Sequence, residues 1–368
     1  MTKAAELAKM GEVLTNSQIG GRRNIVINGA MQVAQRATSA TGLGGDGNTY
    51  NTCDRWHLSC ANTAGRFTMS QVADVHDGFA NALKFDCTTA DTSIAAGEFV
   101  ILTQKFEGQD VQQFKKGSSD AESITVSFYV KGNASATYAL ELFDNDNSRQ
   151  ASQLFSVTTD WTRVIKTFTP DTTGAFDDDN ANSLELNIWL HAGSNLTSGT
   201  LSSTFASNTN ANRAAGISSF FDSTDRTFFI TGVQMEVGSQ ATPFEHRSFG
   251  EELNLCRRYL IRLDGNTSGT LSDGSRFVAS NWNQAAHFTG VVFPVEMRTA
   301  PTLGVSSAGA FYVFTEGASA AATGVNIQGA GNDGAEIRFV TSAVGTSGTA
   351  GFVRLNDNNG FMEFRAEL

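Results

Sequence analysis

The feature that most restricts this chain is a period of two. In SITVSFYV, Ile124, Val126, Phe128 and Val130 share one side; in SLELNIWL, Leu184, Leu186, Ile188 and Leu190 do the same, leaving Glu185, Asn187 and Trp189 on the other. Alternation of this kind marks a strand with one dry and one wet face. It recurs from Asn24 to Arg247 in NIVIN, MQVAQ, DRWHLS, RFTMSQV, NALKFDC, EFVILTQKFEG, TYALELF, WTRVIKTFT and RTFFITGVQMEV. About ten strands without helices between them predict an antiparallel β-sandwich. The Ser/Thr/Asn/Ala-rich stretch Ser194–Ser219 reads as a long surface loop.

After Arg247 the pattern changes once. Ser248 and Glu251 fit a capping box, and Phe249, Leu253, Cys256 and Leu260 follow at helical spacing. Beyond this short helix, RFVASNW, AHFTGVVF, AFYVFTE, AEIRFVT, GFVRLND and GFMEFRAEL are strand-like again, with glycine-rich turns. Two β domains fit a length of 368 residues. With 40% hydrophobic and 17% charged residues, disorder is excluded and a core can form.

Ahead of the strands, TKAAELAKMGEVLT places Leu7, Met10 and Leu14 on one helical face. A helix this short is marginal alone, so its stripe needs a partner, and Gly20-Gly21 detaches it from the strands of the sandwich. Residues 1–36 hold Lys3, Lys9, Arg22, Arg23 and Arg36 against only Glu6 and Glu12, in a chain of net charge −11. Opposite signs favour docking of this arm on an acidic surface. The expected fold is therefore all-β: an N-terminal helical arm (1–22), a sandwich (23–247), and a smaller β domain opened by a short helix (248–368).

The acidic balance argues against nucleic acid as the main partner. No run approaches the ~20 apolar residues of a membrane span, and no secretory signal is visible. Cys53, Cys60, Cys87 and Cys256 show no CxxC, so buried free thiols are expected in a protein folded in a reducing cytosol.

Four stretches, RRNIVINGAMQVAQRAT with YNTCDRWHL, GVQMEVGSQATPFE, LNLCRRYL and FPVEMRTAPT, resemble segments of bacteriophage tail-fibre and virion structural proteins that display a jelly-roll, carbohydrate-binding-module-like sandwich. The resemblance frames residues 22–302. It implies a homotrimeric virion protein, made in the host cytoplasm and fixed to other virion proteins by its arm (Leu7, Met10, Leu14, Arg22, Arg23). It also implies contact with host-surface polysaccharide. It supplies no binding residues.

Those must be sought by chemistry. Sugar recognition needs flat aromatic faces beside amides and carboxylates. Trp189 with Glu185 and Asn187, and Trp282 with Asn281 and Asn283, are the candidates; interface packing is the competing reading for both tryptophans. Asp177, Asp178 and Asp179 offer hard oxygen donors suited to Ca²⁺, although solvated loop acids are the simpler reading. The resemblance keeps one structural Ca²⁺ open there, and no other cofactor is expected. The five histidines are scattered, with no HExxH and no GxSxG, so an enzyme is not expected. An architectural head-decoration or adaptor role and a polysaccharide depolymerase are the alternatives.

Overall fold

The computed structural model describes Lys3 and residues 23–265, 275–355 and 360–368. The chain divides into two compact units, one running to Glu252 and including Leu368, the other Leu253–Glu367.

The first unit is the expected all-β jelly-roll sandwich. One six-stranded sheet has the order β1 (Ser39–Leu43), β4 (Arg66–Val72), β5 (Ala82–Thr89), β13 (Thr227–Val237), β7 (Ile124–Gly132), β10 (Thr162–Phe168). The facing seven-stranded sheet runs β12 (Ala206–Ser207), β9 (Arg149–Val157), β8 (Ala136–Asp144), β11 (Asn182–Ala192), β6 (Phe99–Glu107), β3 (His57–Ala61), β2 (Gly47–Tyr50). The chain passes repeatedly between the sheets, while β2-β3, β4-β5, β8-β9 and β11-β12 each stay within one, and neighbours within each sheet pair antiparallel. The period-two residues face inward as expected: Val126, Phe128, Val130, Leu184, Leu186, Ile188 and Leu190 all lie in one core. The four cysteines are buried thiols that form no disulfide. Burial pushes the Cys60 thiol up to about 12, so it is a packing group and not a nucleophile at neutral pH.

NIVIN and MQVAQ are not ladder strands. Asn28 and Met31 have positive φ (58° and 55°), which breaks pairing at the turn between them. Side-chain amides replace the ladder. Asn24 Nδ2 donates to Val233 O at 3.1 Å, and its Oδ1 accepts from Met235 N at 3.1 Å. Asn28 Nδ2 donates to Val33 O and Asp54 O, while Trp56 Nε1 donates to Asn28 O at 3.0 Å. A Cβ on Gly29 would sit 2.1 Å from Val233 O, so only glycine fits there. Glu245 accepts from Asn24 N at 2.6 Å. NIVINGAMQV, DRW and GVQMEVGSQATPFE therefore form one interlocked knot.

The expected loop 194–219 is more structured than its composition suggested. It holds α2 (Ser194–Thr197), a 3₁₀ turn at Asn210–Asn212 and β12, and it follows α1 (Gly108–Val111) in chain order. Leu196, Ala214 and Ile217 fold onto Trp189, forming a satellite core with Ile101 and Ala139.

The capping box forms as read: Ser248 N and Oγ donate to Glu251 Oε2 at 2.9 and 2.8 Å, and Ser248 Oγ accepts from Glu251 N at 3.3 Å, opening α3 (Phe249–Arg257). The second unit then has a three-stranded sheet β14 (Leu260–Asp264), β22 (Phe361–Arg365), β17 (Thr302–Val305). A closed barrel has the order β15 (Ser275–Asn283), β16 (Ala286–Val292), β20 (Gly334–Thr341), β19 (Ala318–Ala330), β18 (Phe311–Thr315), β21 (Ala350–Leu355). Closure removes the exposed edges that a small sheet would present.

Candidate functional site

Register places a row of polar side chains across the outer face of the seven-stranded sheet. Asn187 pairs with Thr103 on one side and Glu141 on the other; Thr103 pairs with His57, and His57 with Tyr50. One end is closed. Thr103 Oγ1 donates to Asn187 Oδ1 at 2.6 Å, Asn187 Nδ2 to Glu141 Oε2 at 3.1 Å, and Trp189 Nε1 to the same oxygen at 2.9 Å. Arg213, from the 194–219 segment, holds both Glu141 oxygens at 2.8 Å and lies 4.9 Å over the Trp189 ring. Burial alone would lower the Arg213 pKa; the charge and hydrogen bonds of Glu141 overcome it and raise it. Glu141 is thus a buried carboxylate with its charge matched.

The other end is open. Tyr50, His57, Ser59, Lys105 and Glu185 are half-buried, and Asn48 is exposed. The Tyr50 and His57 rings meet edge to face at 4.9 Å. Ser59 Oγ donates to Asn48 Oδ1 at 2.5 Å. Leu368 O accepts from Tyr50 Oη at 3.2 Å and Lys105 Nζ at 3.1 Å. Burial, with help from Lys105 and Arg55, lowers the His57 pKa to about 4, so the ring is neutral at pH 7 and offers one donor and one acceptor. Aromatic edges beside neutral and charged hydrogen-bonders are the chemistry that hydroxyl-rich ligands need.

The sequence candidates fare differently. Glu185, Asn187 and Trp189 do share the outer face. Trp189, however, is 1% exposed, and its indole serves the satellite core and Glu141. It is not a sugar platform, because strand alternation reports a face and not what covers it. Trp282 is 74% exposed, but Asn281 does not share its face. Asn281 alternates into the barrel, where its Oδ1 meets His287 Nδ1 at 2.6 Å and its Nδ2 donates to Thr349 Oγ1 at 2.8 Å. Asn283 caps its own turn by accepting from Ala285 N at 2.9 Å. Tyr50, His57, Ser59 and Lys105 were missed: β2 is short and polar, and in DRWHLS and EFVILTQKFEG alternation marks a face without saying which polar residues of different strands meet on it.

Asp177, Asp178 and Asp179 are exposed, and among the described residues no group of three His, Cys, Asp or Glu side chains is placed to hold a metal ion. Their neighbourhood is organised by an ammonium instead. Lys116 Nζ donates to Asp144, to Thr173 O at 2.8 Å and Gly174 O at 2.7 Å, and lies 3.1 Å from Asp171. Arg149 adds a two-pronged contact to Asp171 at 2.8 and 2.9 Å. Burial would raise the Asp171 pKa; its bonds to Arg149 and Lys116 prevail and lower it. This donor set is filled by a tethered cation, and it includes none of the Asp177, Asp178 and Asp179 carboxylates. Leu7, Met10, Leu14 and Arg22 lie outside the described residues; Arg23 is half-buried.

One alignment resembles a proton relay: Ser219 Oγ lies 2.8 Å from His191 Nδ1, and Glu98 Oε2 lies 3.3 Å from His191 Nε2. Ser219 Oγ also accepts from Phe221 N at 3.0 Å, and His191 is fully buried. Burial lowers its pKa against the pull of Glu98. These bonds satisfy a core imidazole. Among the described residues no helix is long and apolar enough to cross a membrane.

No family model matches the chain, and no curated protein matches it. Among solved structures it is similar to a CBM4 module (12% identity, 57% of this chain and 97% of that one, TM-score 0.28). It is likewise similar to a CBM61 module solved in complex with β-1,4-galactotriose (11%, 59% and 99%, TM-score 0.29). A third is the enzymatically active domain of tailspike protein 4 of bacteriophage CBA120 (12%, 58% and 21%, TM-score 0.29). At such TM-scores none of these transfers a ligand or an activity.

Proposed function

We propose that this chain is a virion structural protein, a tail fibre or fibre-like subunit working as a homotrimer, that contacts host-surface glycans. The arm of residues 1–22 attaches it to other virion proteins. The observation behind the glycan reading is the open end of the polar row, where Tyr50, His57, Ser59, Lys105 and Glu185 stand half-exposed on a rigid sheet while the closed end fixes their neighbours. Function is binding alone, with no bond broken. Each site is weak, and several copies engaging together make attachment strong.

The test is binding of the intact chain to a glycan array, with His57→Ala and Glu185→Ala compared to wild type. Loss of signal in both, with unchanged melting, supports the reading; unchanged binding in both rejects it. Deleting residues 1–21 should leave a folded body that no longer joins particles. A reducing-end assay on host polysaccharide addresses cleavage, and activity abolished by Ser219→Ala would replace the binding reading with a hydrolytic one.

A further inference from the structure

We propose that the outer wall of the barrel around Trp282 is an interface with a second copy of this chain. Val278, Trp282 and Val292 are 78%, 74% and 87% exposed, and all stand on the neighbouring strands β15 and β16. Trp282 leans on Phe288, with ring centroids 6.4 Å apart. On β21, the other neighbour of β15, Phe352 pairs across from Val278 and stacks on Phe314 at 4.9 Å. Apolar side chains thus stand on four adjacent strands, with exposed Ser280 between Val278 and Trp282, and with Arg354 lying over the Phe314 and Phe352 rings at 4.7 and 4.8 Å. A surface of this kind, on a soluble body, marks a contact. Nothing would fill the space above Gly290, on the same wall, so the surface has a shallow floor for an incoming side chain.

Composition and charge identify the occupant as protein, and as self. Asn281 is turned inside, so the centre of the wall lacks the amide that a sugar platform would use. All eight lysines of the chain lie at or before Lys166; the second unit has arginines and no lysine. Lysine depletion with arginine and aromatic residues retained is the signature of buried protein interfaces. At the margin of the wall, β20 sets Arg338 opposite Phe288 and Glu336 opposite Gly290. Arg338 Nε is buried without a hydrogen-bond partner. A wall bearing one charge of each sign two residues apart complements itself: about a symmetry axis, Glu336 of one copy meets Arg338 of the next.

This names a surface for the proposed homotrimer, on which reading it rests, and it is independent of the glycan reading, which rests on the other unit. The experiment is the solution mass of the full chain across a dilution series, against a monomer mass of 39.2 kDa. Wild type should be a multiple of that mass. Val292→Glu and Glu336→Arg should each weaken assembly about tenfold or more, and the charge swap Glu336→Arg with Arg338→Glu should restore it relative to Glu336→Arg alone. A monomer at every concentration overturns the proposal, even if this wall then binds an unrelated protein. So does an assembly indifferent to Val292→Glu and Glu336→Arg. Val292, Glu336 and Arg338 lie on the outer face of β16 and β20; should Val292→Glu fail to fold, the charge pair decides. Dissociated variants that still bind glycan with monovalent affinity would separate this result from failure of the glycan reading.

Discussion

The sandwich and the barrel place opposite chemistry on their outer surfaces. On the sandwich, polar groups face outward and are then partly roofed, so that Glu141, Asn187 and the Trp189 indole are buried and bonded. On the barrel, the polar groups Asn281, His287 and Thr341 bond to one another inside, while Trp282, Val278 and Val292 face solvent. The same residue types on the same kind of strand thus serve opposite ends. What decides is the cover. The sandwich supplies its own from 194–219, whereas the barrel's wall is left for another molecule.

The largest effect should come from breaking the buried charge cluster of the sandwich. Lys116→Met leaves Asp144 and Asp171 without their ammonium, and losing one partner of a buried pair costs about 3–5 kcal/mol. Urea unfolding followed by a probe in the sandwich should show it, with barrel strands unaffected. Since the cation is a lysine, chelation should not shift the wild-type midpoint. A shift with EDTA would show that a metal does act at this end.

A matched pair of tryptophan truncations sharpens the contrast. Trp189→Ala removes a buried ring and leaves Glu141 short of a donor, for a loss of about 3–5 kcal/mol. Trp282→Ala should change the barrel's own folding by no more than about 0.5 kcal/mol at dilutions where copies are apart. Equal losses would mean that the two tryptophans are equally enclosed, which the difference in exposure denies.

The same contrast explains how much was legible in the sequence. Strand β4 was readable to the residue, because RFTMSQV alternates Phe67 and Met69 with polar neighbours. Strand β9 was missed because its buried positions include Gln150 and Ser152, which give no hydrophobic period. NIVIN was misread because side-chain amides from Asn24 and Asn28 did the pairing that alternation usually announces. For the site, alternation correctly placed Glu185, Asn187 and Trp189 on one face. It could not say that Arg213, twenty-four residues after Trp189, would close over that indole. The residues that form the barrel's wall needed the barrel's register.

Acid should weaken both units, with the sandwich's response carried by two histidines. The folded pKa of His57 is about 4 and its unfolded value about 6.5. Between those values the unfolded chain binds a proton that the native state refuses. Stability therefore rises with pH across this window and falls as pH drops from roughly 6.5 toward 4. Burial lowers His191 and His287 in the same direction, the former in the sandwich and the latter in the barrel. His57→Gln should flatten part of the dependence in the sandwich only. An unchanged slope between pH 7 and pH 5 would show that His57 titrates normally.

The smallest expected effect concerns α3, where the chain passes from one unit to the other. Ser248→Ala removes the hydroxyl that accepts from Glu251 N and donates to its carboxylate, leaving that carboxylate the Ser248 N contact of the box, at a cost of about 1 kcal/mol. That cost should register in the sandwich, because the next residue, Glu252, accepts from Asn28 N at 2.5 Å and so ties the first turn of α3 into the Asn28–Trp56 knot. Amide exchange can resolve this: protection at Ile25–Val33 should fall in the variant while β15 and β16 keep theirs. If the barrel strands lose protection instead, the cap supports the second unit, and the knot is held without help from the helix by Asn24 and by Arg247, whose Nη1 donates to Val26 O at 3.0 Å.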